Sequence, residues 1–417
     1  MVVEGRPLES RRGVLRRSDF RLFWLSRTIS VAGDRVSWLA LPTVAILVLG
    51  ATPFQVGLLS AVQTLAWPAL GLLVGVWVDR LSRRGILIGS DVARALILAT
   101  IPVAFALGHL TLLQLIIAAG FAGVFSVAFD LAASPFLTAM LAAEDLGDAN
   151  ALLEGGQQAV AAGAPGLAGL LISALGAPFA IVADVISFLS SGALVGAIRT
   201  STAAPTCTIR RGLLAEAVEG MVALLREPAL RAITLCAAVS NVGLMMGLAI
   251  QLLFLYRVMR LSPAVVGICF AIGSLASLVG ALYNRRIMLG LGIHRTLLLS
   301  TFFEGLAYIL IPAGLFLPII PLLIGALVVS GFFNTTWNVS VTTFRQRRVP
   351  IELMGRVGAA GRVIGFGALP LGSLLGGLLG QLLSAQMGQR FGLALALLVA
   401  SLVAASSSIA LLRPWSD

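Results

Sequence analysis

The chain has 417 residues, of which 59% are hydrophobic and 11% are charged, and its mean hydropathy is +1.01. A soluble globular chain is about 25% charged, so this composition excludes a soluble protein and predicts an integral membrane protein. The formal charge is +11, and the 29 Lys and Arg residues are all arginine. Without lysine, the chain cannot form a Gly-Lys-Ser/Thr phosphate-binding loop or a lysine Schiff base.

Residues 1–19 form a basic arm at the start of the chain. The apolar stretch that follows is too long for the core of a signal peptide, so we expect no cleavage. Most of the other arginines fall in loops on the same side of the membrane as this arm. A basic balance is also typical of nucleic-acid binding, but the positive-inside rule explains this distribution better. The sequence therefore predicts that both termini are cytoplasmic and that nucleic acid is not a partner.

Apolar stretches about as long as a membrane-crossing helix recur along the whole chain. Leu and Ala runs with interspersed Gly predict helices, and the strict alternation typical of a membrane barrel is absent. The first six predicted spans are residues 22–48, 54–78, 86–108, 111–135, 151–173 and 177–198. The second six are residues 230–256, 263–284, 293–315, 318–342, 358–382 and 390–412.

Two segments repeat between the halves of the chain. Thr52-Pro-Phe-Gln-Val-Gly57 recurs as Ser262-Pro-Ala-Val-Val-Gly267, and Ala164-Pro165 recurs as Leu369-Pro370. We therefore predict an all-α membrane protein whose twelve transmembrane helices form two pseudo-symmetric six-helix bundles. The predicted boundaries are 20–199 for the first bundle and 229–417 for the second. Between them, residues 200–228 form a cytoplasmic linker with an amphipathic helix, read as a structural strap in preference to a regulatory element.

A dense group of charges lies in the short connection between the second and third spans. The segment Gly75–Gly85 contains Asp79, Arg80, Arg83 and Arg84. Asp79 falls at the C-terminal end of a helix, where the helix dipole disfavours negative charge, so it needs a positive partner. The alternative is an arginine-rich membrane anchor with one isolated acid. The pattern Gly-x-x-x-Asp-Arg-x-x-Arg-Arg resembles the loop 2–3 signature of the major facilitator superfamily.

Further segments resemble one group of that superfamily, the drug–proton antiporters that include macrolide-efflux and enterobactin-export proteins. The matching segments are Ser30-x-x-Gly33-Asp34, Glu144-Asp-Leu-x-x-Ala-Asn150, Gly163-Ala-Pro-x-x-Ala-Gly169, Asp184-x-x-Ser-Phe188, Gln346-x-x-Val-Pro-x-Glu-Leu-x-Gly-Arg356 and Pro370-Leu-Gly-x-x-x-Gly-Gly377. The fifth-span motif, with Gly163, Pro165 and Gly169, departs from the family's usual Gly-Pro and Gly-Gly by reading Ala-Pro and Ala-Gly. Alanine still allows helices to approach closely.

The resemblance implies a major facilitator fold in the plasma membrane and proton-driven export of amphipathic small molecules by alternating access. Its partners would be a small amphipathic substrate, protons and the lipid bilayer, and the protein would function as a monomer. Alternatives within the fold are a siderophore, metabolite or lysophospholipid transporter, and a more remote one is a receptor or scaffold. The sequence contains no nucleophile–base or metal-ligand spacing, so neither an enzyme nor a cofactor is expected. The three cysteines show no paired spacing, so no disulfide or metal framework is expected either.

Five ionisable residues fall within predicted spans, where a charge is costly and suggests a function. They are Asp34, Arg35, Asp130, Asp184 and Glu304, which we read as candidates for proton coupling or substrate contact. A carboxyl group in apolar surroundings holds a proton more readily, as proton coupling requires. The alternative for each acid is a neutralised structural pair, such as Asp34 with Arg27, Arg35 or Arg362.

Two further groups of residues complete the candidate sites. Asp91 and Arg94 lie three residues apart at the start of the third span and are read as part of the charged loop. The resemblance implies a cytoplasmic gate of that loop with the start of the eleventh span. Its predicted members are Asp79, Arg80, Arg83, Arg84, Asp91, Arg94, Arg356 and Arg362. In the tenth span, Phe333, Asn334, Trp337 and Asn338 are candidates for lining a substrate cavity, and the alternative is packing.

Overall fold

The computed structural model of the chain describes residues 13–78, 81–199 and 213–412. The helices of the first half are α1 (Ser18–Thr43), α2 (Pro53–Val78), α3 (Arg83–Ala106), α4 (Leu112–Met140), α5 (Leu146–Leu175) and α6 (Ala177–Gly196). The helices that follow are α7 (Leu213–Arg226), α8 (Pro228–Leu253), α9 (Pro263–Leu291), α10 (Ile293–Ala307), α11 (Leu310–Ala313), α12 (Ile319–Arg348) and α13 (Ile351–Ser406).

Every predicted span falls on these helices, although the ninth is divided between α10 and α11 and the last two share α13. In the described ranges, ten helices are long and apolar enough to cross a membrane by length and composition. Helix α13 is 56 residues long, and its backbone breaks at Gly388 (φ 78°, ψ 156°), between the predicted spans 358–382 and 390–412. The protein is therefore an all-helical membrane protein. The count of twelve spans requires α2 and both parts of α13 to cross separately, and it remains a prediction.

The ninth predicted span is interrupted by a turn. Helix α10 ends at Ala307, and the single turn of α11 follows at Leu310–Ala313. Pro312 explains the interruption, because its ring lacks an N–H and collides with the carbonyl group four residues earlier, at Tyr308. The apolar pattern alone extends through this region and does not reveal the turn.

Helices α1 and α8 end in the same unusual way. Residues Val44–Val48 and Phe254–Val258 form π-helical turns, with the Leu49 N–H bonded to the Val44 carbonyl at 3.1 Å and the Met259 N–H bonded to the Phe254 carbonyl at 3.0 Å. The two turns precede the repeated segments at Thr52 and Ser262. The internal repeat seen in the sequence is thus repeated in the backbone.

Two compact units make up the fold. The N-terminal unit consists of the described residues of Met1–Leu41 and Ala69–Thr208, and the C-terminal unit of those of Pro42–Pro68 and Ile209–Asp417. Residues 42–68 contact α13, as at Gly57 and Gly377, and the turn that follows α8, as at Ile46 and Arg257. The predicted bundle boundaries at 20–199 and 229–417 remain a prediction.

The linker helix α7 packs on the C-terminal unit. Leu224 is buried in an apolar cluster with Ile233 of α8 and Val357 of α13. Arg356 Nη1 lies 2.6 Å from Glu219 Oε2, so an exposed ion pair also ties α7 to α13. This packing agrees with the role of a structural strap that the sequence predicts for the linker helix. Residues 200–212 of the predicted linker, and most of the basic arm, lie outside the described residues.

Candidate functional site

A stripe of small polar residues runs along one face of α1. Ser26, Ser30 and Ser37 are at most 6% exposed, and Gly33 lies between them. Their spacing of three, four or seven residues puts them on the same side of a helix. A Cβ atom added at Gly33 would collide with the side chains of Asp184 and Ser187 on α6. The stripe therefore packs tightly against α6 and creates a polar layer within an apolar unit.

Arg94 of α3 lies at the centre of this layer, with its side chain 2% exposed. Its Nη2 forms an ion pair with Asp91, one helical turn earlier. Its Nη1 lies 3.4 Å from Asp34 Oδ2 of α1. Nη2 also donates to Ser30 Oγ and Nη1 to Ser126 Oγ, both at 3.2 Å. One arginine thus connects three helices through four polar partners.

Aromatic rings surround the same guanidinium group. The Arg94 Cζ atom lies 4.0 Å from the centre of the Phe188 ring and 4.9 Å from that of Phe129. Cation–π contacts of this kind are favourable where water is excluded. The rings also keep the guanidinium plane in place against both acids.

A third acid belongs to this ion cluster, which we define as Asp34, Asp91, Arg94 and Asp184. Asp184 of α6 is fully buried, and its carboxylate accepts hydrogen bonds from the hydroxyl groups of Ser37 and Ser187. None of the ion pairs found in the described part of the chain includes it. Asp34 differs from the two buried acids, because 44% of its side chain is exposed.

Two of the arginines that the sequence offers as partners of Asp34 have other surroundings. Arg27 Nη1 pairs with Asp130 Oδ1 of α4 at 2.8 Å, and Arg35 is exposed. The partner of Asp34 is Arg94, although its position near the start of the third span predicts a place in the charged loop. Arg94 lies ten residues beyond Arg84, about 15 Å along a helix at 1.5 Å per residue. It therefore reaches the polar layer instead of the loop.

The Arg27–Asp130 pair lines a cavity in the N-terminal unit. The cavity has a volume of about 510 Å³ and lies between α1, α4 and α5. Phe23 and Leu137 give it apolar walls, and Glu154 adds a second acid. Its size and mixed lining are typical of a small-molecule site.

The C-terminal unit contains a separate acid–amide pair. Glu304 of α10 is 4% exposed, and its Oε1 accepts a hydrogen bond from Asn334 Nδ2 at 2.7 Å. Asn338 donates in turn to the Asn334 carbonyl oxygen at 2.9 Å, and both asparagines are exposed. Phe333 stacks on Phe303 with ring centres 5.3 Å apart. The structure therefore brings Glu304 together with two of the predicted cavity residues.

Trp337 has different surroundings from its neighbours in α12. Its side chain is 9% exposed and packs in the apolar cluster that contains Leu224 and Val357. The position of Trp337 therefore agrees better with packing than with a place in the wall of a substrate cavity.

The structure describes only part of the charged loop between the second and third spans. Asp79 and Arg80 lie outside the described residues. Arg83 Nη1 donates to the Pro135 carbonyl oxygen at 3.2 Å, and Arg84 donates to the carbonyl oxygen of Gly196 at the end of α6. Cations at helix C-termini are favourable because of the helix dipole. Arg84 thus caps the end of α6, and Arg83 binds a carbonyl group five residues before the end of α4.

The remaining predicted residues lie in α5 and α13. Pro165 lies within α5, where Gly163 is exposed and Gly169 is buried. On α13, Arg356 pairs with Glu219 as described above, and Arg362 is exposed.

Sequence reasoning missed the hydroxyl groups of the ion cluster. Ser30, Ser37, Ser126 and Ser187 supply most of its hydrogen bonds. A signal was present, since serines at helical spacing beside Asp34 mark a polar face within an apolar span. Serine is also common in ordinary packing between membrane helices, so the pattern by itself does not identify a site.

Comparison with known proteins agrees with this architecture. Residues 23–373 match the family profile of the Major Facilitator Superfamily. The multidrug efflux pump Tap of Mycolicibacterium fortuitum is 26% identical over 367 residues, which cover 86% of this chain and 88% of that protein.

Solved structures show the same fold at low sequence identity. A mutant of the nucleoside transporter NupG superposes with a TM-score of 0.78 at 14% identity, covering 94% of this chain and 100% of that one. A bacterial homologue of the iron transporter ferroportin, in an inward-facing state, gives a TM-score of 0.70 at 18% identity over 95% and 99% of the two chains. The predicted family is confirmed: the chain belongs to the Major Facilitator Superfamily and is a multi-pass membrane transporter.

Proposed function

We propose that the protein is a proton-coupled exporter of amphipathic small molecules that works by alternating access in the plasma membrane. The observation that carries this proposal is the accessibility of Asp34. Its side chain is 44% exposed at the edge of the ion cluster, whereas Asp91 and Asp184 are buried. We propose that this exposed face of Asp34 meets water, so that its carboxyl group can exchange a proton. Similarity to a multidrug efflux pump supports export of drug-like molecules.

The geometry suggests how a proton could affect the helices. Asp34 lies on α1 and Arg94 on α3, so their 3.4 Å contact joins two helices. Protonation of Asp34 removes its charge and leaves Arg94 balanced by Asp91 on its own helix. The attraction between α1 and α3 then weakens. A change of about 1–3 kcal/mol is typical of the coupling between two sites in one protein.

The cavity beside Arg27 and Asp130 is the proposed substrate site of the N-terminal unit. Apolar walls suit the hydrophobic part of an amphipathic molecule, and Asp130 and Glu154 suit a cationic group. In the C-terminal unit, Glu304 with Asn334 and Asn338 offers a second set of polar contacts. The proposed cytoplasmic gate of loop 2–3 with Arg356 and Arg362 belongs to the same cycle.

Replacement of Asp34 tests the coupling. Asp34→Asn keeps the size of the side chain but removes the proton-binding group. In proteoliposomes with a fluorescent amphipathic cation, we expect this variant to lose uphill export and the dependence of flux on pH. Downhill exchange should persist, because the helices remain able to move.

Two controls make the experiment decisive. Asp34→Glu restores a carboxyl group and should restore part of the uphill export. Arg16→Gln removes an exposed charge outside the spans and should transport like the unmodified protein. If Asp34→Asn still builds a substrate gradient from an imposed proton gradient, Asp34 is a structural residue and the coupling role proposed here is wrong.

A further inference from the structure

A second cavity, of about 440 Å³, lies in the C-terminal unit at the junction of α9, α10 and α12. Three arginines line it: Arg285 from α9 and Arg347 and Arg348 from the end of α12. Met288 and Leu289 supply apolar walls, and no acid is among the described residues that line the cavity. The cavity is therefore positive on one side and apolar on another.

The N-terminus of α10 opens into the same cavity. Gly292 caps this 15-residue helix with a φ of 76° and has no side chain to accept its first N–H groups. Gly292 and Ile293 both line the cavity. Free N–H groups at a helix N-terminus attract anions. The helix thus adds partial positive charge to that of the arginines.

The arginines are incompletely neutralised. Arg348 Nε lies 3.3 Å from Glu227 Oε1, in an exposed ion pair. For Arg285 and Arg347, no ion pair with an acid is found among the side chains that the structure describes. The internal repeat explains this surplus, because this junction matches the charged loop of the first half. That loop contains Asp79, and the second copy has no matching acid.

Exposed leucines on α9 lie on both sides of Arg285. Leu282 is 79% exposed and Leu289 is 77% exposed, and they lie seven residues apart on one helix face. Exposed apolar side chains on a membrane helix face the acyl chains of lipids. Arg285 lies between them, so a positive site and a lipid-facing surface meet at the same point of the helix.

We propose that this cavity binds the phosphate headgroup of an acidic phospholipid, held by Arg285, Arg347 and Arg348 and by the N-terminus of α10. An acyl chain of this lipid lies along Leu282, on the membrane side of Arg285. The proposal rests on the topology proposed above, which puts the cavity at the cytoplasmic leaflet, where acidic lipids and basic pockets between helices commonly meet. It needs no transport activity.

Lipid retention tests the proposal directly. Purified protein is equilibrated with mixed micelles of phosphatidylglycerol and phosphatidylcholine, and native mass spectrometry counts the lipids that remain bound. We expect the unmodified protein to retain one phosphatidylglycerol. Arg285→Gln/Arg347→Gln should bind it about 30-fold more weakly, because each arginine near a membrane surface contributes about fivefold. This variant keeps Arg348 and its ion pair with Glu227, so the end of α12 stays anchored.

The matched control is Arg16→Gln/Arg21→Gln, which removes the same charge from exposed positions near the start of α1 and should retain the lipid. Equal retention by the cavity variant, or equal retention of phosphatidylcholine by the unmodified protein, would overturn the proposal. An excess of inorganic phosphate separates lipid from free anion. If phosphate displaces the lipid as effectively as an equal concentration of phosphatidylglycerol does, the acyl chains add no affinity, the site binds a free anion and the lipid proposal is wrong. None of these outcomes depends on whether the protein exports drugs.

Discussion

Arg94 is the residue on which the ion cluster depends. A fully buried arginine is costly unless its charge and its N–H groups have partners. Here two acids, two hydroxyl groups and two aromatic rings supply partners for the charge and for both Nη atoms, and only the Nε atom has no hydrogen-bond partner in the described part of the chain. Removal of the arginine would leave Asp91 buried without its cation.

We therefore expect Arg94→Gln to destabilise the protein by about 3–5 kcal/mol, as is typical when one partner of a buried ion pair is removed. Thermal unfolding in detergent should show a clearly lower midpoint. Arg35→Gln, one residue from Asp34 but exposed, should unfold like the unmodified protein.

A double substitution separates the charge effect from lost packing. Asp91→Asn/Arg94→Gln removes both charges of the pair and should recover part of the stability lost in Arg94→Gln. A double variant as unstable as the sum of both single variants would mean that the pair has no favourable interaction.

The acids of the ion cluster were predictable as unusual residues, but their partners were not. A charge within an apolar span stands out in any sequence, which is how Asp34, Asp184 and Glu304 were found. Which arginine meets Asp34 depends on how α1 packs against α3, and this packing is set by many small contacts. The sequence offers Arg27, Arg35 and Arg362 as partners, yet Arg27 pairs with Asp130 and the other two are exposed.

Among the helices, α8 and α13 pack closely where Gly376 of α13 lies against Met246 of α8. A Cβ atom added at Gly376 would lie 2.6 Å from the Met246 Cα atom and 2.8 Å from its carbonyl carbon. Real side chains do not tolerate such distances, so the two backbones must stay in contact at this point. Small residues are a common means of packing helices closely in membranes.

Gly376→Val should therefore destabilise the C-terminal unit by about 1–3 kcal/mol through overpacking. Thermal unfolding of the purified protein provides the measurement. Gly367→Val is the matched control on the same helix, because a Cβ atom at Gly367 meets nothing within 4 Å. Equal destabilisation by both variants would show that helix propensity, and not the close contact, is responsible.

The π-helical turns at the ends of α1 and α8 contact each other within the C-terminal unit. Arg257 Nη2 donates to the Ile46 carbonyl oxygen at 2.8 Å, and Thr43 Oγ1 lies 3.2 Å from the Tyr256 hydroxyl group. A π-helical turn shifts the carbonyl groups away from the regular helix pattern, which makes the Ile46 carbonyl available to the arginine.

Arg257→Gln should therefore loosen the turn after α1. We expect faster hydrogen–deuterium exchange at the amides of residues 46–51, whereas Arg260→Gln, three residues later and exposed, should leave exchange there unchanged. If these amides exchange as slowly in Arg257→Gln as in the unmodified protein, backbone hydrogen bonds alone stabilise the π-helical turn.

Span positions were predictable, but helix ends were not. Hydropathy locates the apolar core of each span, and all predicted spans coincide with helices. The helices extend further, for example to Leu291 in α9 and Arg348 in α12, because backbone hydrogen bonds continue into the polar region beyond the membrane core. The grouping of residues 42–68 with the C-terminal unit rests on contacts distant in sequence, such as Gly57 with Gly377.

For the whole molecule, the distribution of arginines predicts the orientation. Ser82 and Thr52 are both exposed, one in the charged loop and the other before α2. In a background with the three native cysteines replaced by serine, a cysteine at Ser82 should react only with reagents that enter the cytoplasm. A cysteine at Thr52 should react with impermeant reagents from outside. Labelling of the Ser82 position by an impermeant reagent in intact cells would reverse the proposed topology.

The coupling of substrate flux to protons is the central claim for the whole molecule. The most direct measurement uses the unmodified protein in proteoliposomes, with an imposed pH gradient, a fluorescent amphipathic cation and an internal pH indicator. The proposal predicts that the cation accumulates against its own gradient while protons move in the opposite direction, and that both fluxes stop when the pH gradient is abolished. Transport that only runs down the substrate gradient, with no proton flux, would contradict it.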